Sequence, residues 1–141
     1  PFNEVEEIRL NTFPPTAMVN GNELIFLTGL KKEDIVMVAV RHGVKTNEPL
    51  DIWEMIGEEF LDTGFDEDQK LRTLQRLAEA GVPNEEVLAI RKKLQRRMLW
   101  WTYASMEWIY CGHYDVLQNR WPVSRKTYWW TMELALRKPH A

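Results

Sequence analysis

The chain has 141 residues, 45% of them hydrophobic and 28% charged, with a formal net charge of −3 and a single cysteine. That length suits one domain spanning residues 1–141, and the composition is too apolar and aromatic for a disordered chain. The lone Cys111 excludes an internal disulfide framework and a multi-cysteine zinc site within one chain.

The first residues, Pro1-Phe2-Asn3-Glu4-Val5-Glu6-Glu7, are acidic and carry neither a basic nor an apolar leader. The expected location is therefore the cytoplasm, or a particle assembled there. Residues 1–30 read as an extended segment and a β-hairpin, because Pro14-Pro15 forbids helix. The hairpin is expected over 16–27. Asn20-Gly21 lies between Thr16–Val19 and Asn22–Leu27, and both turn residues tolerate the positive φ of a type I′ turn. Residues 31–141 read as helical. The run Ile35–Val40 is β-branched and fits a buried strand. Glu33-Asp34 before it and Arg41-His42-Gly43 after it fit a helix dipole and a glycine C-cap, which favours a short buried helix.

Pro49 opens a helix expected to run through Leu61 to Thr63-Gly64. Asp66, with Gln69 three residues on, caps another that sets Leu71, Leu74, Leu77 and Ala78 on one face. Gly81 and Pro83 end it. Asn84 with Glu85-Glu86 begins the longest helix, expected to reach about Tyr110. Cys111-Gly112-His113 interrupts the pattern, and a short turn is expected over 113–120. Ser124 caps a last helix that runs to about Lys138 before Pro139. The expected fold class is mainly α: four or five helices in a small bundle with an N-terminal β-hairpin. The most apolar stretch, Met98–Gly112, contains Thr102, Ser105 and Glu107 and is shorter than the roughly 20 apolar residues of a bilayer span, so no membrane partner is expected.

Charge is unevenly distributed. Residues 1–70 carry 15 acidic and 6 basic side chains, and residues 71–141 carry 6 acidic and 12 basic. Either the halves neutralise each other within one fold, which is the favoured reading, or each faces a different partner, as in a head-to-tail assembly. The acidic helix aligns Asp51, Glu54, Glu58 and Asp62 on one face. In the long helix, Val87, Ile90, Leu94, Met98, Trp101 and Trp108 form an apolar stripe opposite Lys92, Lys93, Arg96 and Arg97. One turn later Trp100, Tyr103 and Tyr110 continue the line of the basic residues, so this half of the helix is apolar all round and must be covered on both sides.

Seven tryptophans are present, six of them between Trp100 and Trp130. Neighbouring helix positions point about 100° apart, so Trp100-Trp101 and Trp129-Trp130 cannot all enter one narrow core. Tryptophan and arginine dominate interface hot spots. The expected function is therefore a non-enzymatic protein–protein interaction or assembly module, oligomeric or part of a larger particle, viral or phage assemblies included. It would dock through Trp100, Tyr103, Trp108, Arg120, Trp121, Arg125, Trp129 and Trp130. A tryptophan-heavy core with arginine stacked on ring faces is the structural alternative.

The functional alternative is a nucleic-acid-binding protein that neutralises phosphates with Lys92, Lys93, Arg96 and Arg97 and stacks bases on Trp100 and Tyr103. A third reading is a small enzyme using Cys111 and His113, whose closeness in sequence is no catalytic signature. Pro1 resembles the amino-terminal proline base of the tautomerase family, and the resemblance ends at that residue. No glycine-rich phosphate loop, G-x-S-x-G elbow or H-E-x-x-H motif occurs, and no cofactor or metal is expected.

Overall fold

The computed structural model describes residues 2–58, 66–105, 112–118 and 123–139, and the side chains of all of these except 2, 96–105 and 118. The chain forms two compact units, residues 1–51 and 52–141.

The first unit is built on a four-stranded mixed sheet. After a 3-10 turn at Phe2–Glu4 come β1 (Val5–Arg9), β2 (Thr16–Val19) and β3 (Glu23–Phe26). Helix α1 (Lys32–His42) and β4 (Lys45–Asn47) follow, and the strand order is β3-β2-β1-β4. The hairpin forms as the Asn-Gly signal predicts. Asn20 and Gly21 have φ of 52° and 67°, and the Asn22 amide closes the turn onto the Val19 carbonyl at 3.3 Å. Ala17 then pairs with Ile25 on β3 and with Ile8 on β1, so these three side chains share one face of the sheet.

Residues 32–42 are helical. The Gly43 and Val44 amides bond to the Val40 and Ala39 carbonyls, and Gly43 has φ of 66°. That is a Schellman C-cap, and it turns the chain into β4. The helix is buried on one side only: Ile35 and Ala39 are enclosed while Met37 and Val40 lie outside. Ile8, Ala17, Ile35 and Ala39 form the small core, flanked by Val5, Leu10, Leu27 and Val44.

The mainly α bundle with a lone hairpin is therefore corrected to a four-stranded mixed sheet together with six helices. The hairpin is two strands of that sheet. The other two have no sequence signal strong enough to read. β1 is Val-Glu-Glu-Ile-Arg, which suggests only an extended segment, and β4 is the three polar residues Lys-Thr-Asn. Their pairing is parallel and long-range, with Ile8 opposite Thr46, and no local periodicity encodes it.

The second unit is helical, with α2 (Ile52–Gly57), α3 (Glu67–Glu79), α4 (Asn84–Ser105), α5 (His113–Gln118) and α6 (Arg125–Ala135). The Asp66 carboxylate caps α3 by accepting the Gln69 amide at 2.8 Å, and the Ser124 hydroxyl caps α6 by accepting the Thr127 amide at 3.1 Å. Gly81, at φ of 89°, ends α3 in a second Schellman motif. Val82 bonds back to the Leu77 carbonyl, and both side chains are fully buried. α2 packs against α3, α4 and α6, and α5 packs against α6. Among the described residues no helix is long and apolar enough to cross a membrane.

Candidate functional site

The densest gathering of chemically capable side chains lies inside the second unit. α2 is short and almost wholly enclosed: Ile52, Trp53, Met55, Ile56 and Gly57 are buried and Glu54 is exposed. Its final carbonyls, those of Met55 and Ile56, accept bonds from the Arg91 guanidinium of α4 at 3.4 and 3.1 Å. So anchored, α2 holds Trp53 at the centre of the unit with 1% exposure. The indole N–H donates to the Thr131 carbonyl of α6 at 3.0 Å. Its ring stacks on His113 at 5.7 Å and 14°, and forms a T-shaped pair with Trp130 at 5.7 Å and 84°.

His113 opens α5. Just before it, the Gly112 amide donates to the Asp115 carboxylate at 2.9 Å. His113 Nε2 lies 3.0 Å from Thr131 Oγ1, and both residues are buried. Thr131 donates its one hydroxyl proton to the Tyr128 carbonyl at 2.7 Å. Its oxygen can then only accept from the imidazole, so the proton of neutral His113 sits on Nε2. Burial pulls this imidazole down from its ordinary value of 6.5 to about 4, so the ring is neutral near pH 7. A histidine that donates to a hydroxyl cannot take that hydroxyl's proton. In this arrangement the pair links α5 to α6 through a buried hydrogen bond.

The tryptophan-rich C-terminal region is divided by α6. Thr131, Met132 and Leu134 face the core. Trp130 is half-buried, against Trp53 on one side, with the Lys93 ammonium 4.0 Å from its ring centre. Trp129 is 38% exposed and forms a T-shaped pair with Tyr128 at 5.3 Å and 85°. Arg125 and Lys126 lie exposed one turn before it. Trp129 and Trp130 thus separate to opposite roles, as the spacing of neighbouring helix positions requires.

Of the other residues singled out in the sequence, Trp100 and Tyr103 lie within α4, as do Arg96 and Arg97, but their side chains are outside the described residues. Pro1, Asp62, Trp108, Cys111, Arg120 and Trp121 also fall outside. Lys92 and Lys93 are exposed on α4, and Lys93 is engaged with Trp130. The three described members of the acidic stripe differ in exposure. Asp51 precedes α2 and is half-buried, Glu54 is exposed, and Glu58 is half-buried and accepts a bond from Thr73 at 2.7 Å. Among the described residues, no three His, Cys, Asp or Glu side chains gather as a metal site.

Trp53 and Thr131 are the members of the cluster that sequence reasoning passed over. The available signal was the apolar run Ile52-Trp53 and Met55-Ile56 on either side of Glu54. Comparison with protein-family models, with curated proteins and with solved structures finds no match for this chain.

Proposed function

We propose that this chain is a protein–protein interaction module that self-associates, with the exposed side of α6 as its docking surface and Trp129 as the anchor. The observation that carries this reading is a large indole left in solvent on a helix whose opposite side is enclosed. The ring is held by Tyr128 at 5.3 Å, and an anchor already fixed in place loses little side-chain freedom on docking. Arg125, four residues earlier, supplies a cation on the same side of the helix. An aromatic anchor beside an arginine is the composition that concentrates binding energy at interfaces.

Sedimentation velocity over a range of protein concentrations tests the proposal. The wild-type chain is expected to associate as concentration rises. Trp129→Ala should weaken that association more than tenfold, the usual scale for an interface anchor. Its far-UV circular dichroism should not change, because the residue is not part of the core. A wild-type chain that stays monomeric at every concentration, or a Trp129→Ala variant that associates as wild type does, overturns the reading.

A further inference from the structure

The first unit contains a half-open cavity of about 380 Å³ between the sheet and α1. Its floor is the row Ile8, Ala17 and Ile25, one residue from each of three adjacent strands on the same face. Ile35 and Val38, three positions apart on α1, form the roof. Ile8, Ala17 and Ile35 belong both to the buried cluster of this unit and to the cavity lining, so the cavity continues directly from that cluster. Its size falls within the range of small-ligand sites, about 300–1,000 Å³. The floor and roof are aliphatic, and among the described residues no aromatic ring lines the cavity to recognise a flat ligand. The polar side chains of the lining are Glu4 and Asp34, both exposed and therefore at the mouth, and among the described residues no basic side chain contributes.

We propose that this cavity binds an aliphatic amine. The hydrocarbon tail enters between the sheet and α1, and the ammonium head stays at the mouth beside Glu4 and Asp34. The tail gains by leaving water, and the head keeps its hydration while two carboxylates attract it. A fatty carboxylate of the same length fits the walls equally well but is repelled at the mouth. An alcohol fits without attraction or repulsion.

Titration with n-alkylammonium chlorides from hexyl to decyl, kept below micelle formation, tests this. Binding is followed by the methyl NMR signals of Ile8, Ile25 and Ile35. Affinity should rise about fourfold for each added methylene until the cavity is full. At equal tail length the amine should bind about fivefold more tightly than the alcohol, the scale of exposed ion pairs, and more tightly still than the carboxylate. Added salt should erase that margin. Glu4→Gln combined with Asp34→Asn should bring the amine down to the alcohol while leaving the alcohol unchanged. Val38→Trp, at a half-exposed position on α1, should block all three ligands while the spectrum keeps its dispersion. Absence of saturable shifts with every amine overturns the proposal. So does a carboxylate that binds as tightly as the amine, or an unchanged amine preference in the double variant.

Discussion

Thr131 has one hydroxyl proton, and its direction toward the Tyr128 carbonyl at 2.7 Å decides the state of its neighbours. The oxygen accepts from His113, and the Thr131 carbonyl accepts from the Trp53 indole at 3.0 Å. One residue thus ties α5 and α2 to α6. Removing the indole donor in Trp53→Phe while keeping a ring in place should cost about 1–3 kcal/mol, because a buried hydrogen bond to the Thr131 carbonyl is lost. The midpoint of urea unfolding measures this. His113 makes stability depend on pH. Its folded value of about 4 lies below its ordinary 6.5, so between these pH values the unfolded chain holds a proton that the folded chain lacks. Stability contributed here is present above pH 6.5 and falls as pH drops toward 4, by about 3 kcal/mol in all. His113→Gln removes the titrating group. The stability of wild type relative to this variant should therefore decline by that amount from pH 7 to pH 4, as read by urea unfolding at each pH.

At the scale of elements, the two Schellman glycines have different surroundings. A Cβ on Gly81 would lie 2.9 Å from the Lys138 carbonyl oxygen and 3.5 Å from Arg137 Cγ, whereas one on Gly43 would meet nothing within 4 Å. Both positions carry the left-handed strain that L-residues resist, about 1–2 kcal/mol. Gly81→Ala adds a backbone clash and should reduce amide-exchange protection in its flanking helices more than Gly43→Ala does in α1. Arg137 is drawn to the same turn. Its guanidinium donates to the Gly81 carbonyl at 3.4 Å and to Glu86 at 2.5 Å. The α3 face read from the sequence is narrower in the structure. Leu77 is buried and Leu74 half-buried, but Leu71 is 63% exposed and Ala78 also lies outside.

At the scale of the whole molecule, charge follows the units and not the halves of the sequence. Residues 1–51 carry eight acidic and five basic side chains, and residues 52–141 carry thirteen of each. Most of the asymmetry between the halves is therefore contained in the second unit, where an acidic stretch before residue 71 is offset by a basic one after it. All seven tryptophans also belong to the second unit, so their fluorescence reports its unfolding alone. The first unit needs a different probe. Ile35→Ala removes a side chain from the buried cluster between the sheet and α1 and should cost about 2–5 kcal/mol, seen as faster amide exchange in β1, β2 and α1.

Much of the local structure was legible in the sequence. Asn20-Gly21 specified its turn, Gly43 and Gly81 specified helix ends, and Asp66 and Ser124 specified helix starts. Each of these outcomes depends on groups within about five residues of one another, and backbone sterics and side-chain capping act over that distance. Only the tertiary structure decided the rest. The parallel pairing of β1 with β4 joins Ile8 to Thr46 across a connection that contains a hairpin and a helix. The indole of Trp53 meets a carbonyl 78 residues away. Which of two adjacent tryptophans on α6 is enclosed depends on where α2 and Lys93 stand. Such contacts depend on closing long loops around a shared core, and local propensity does not record which distant partners close them.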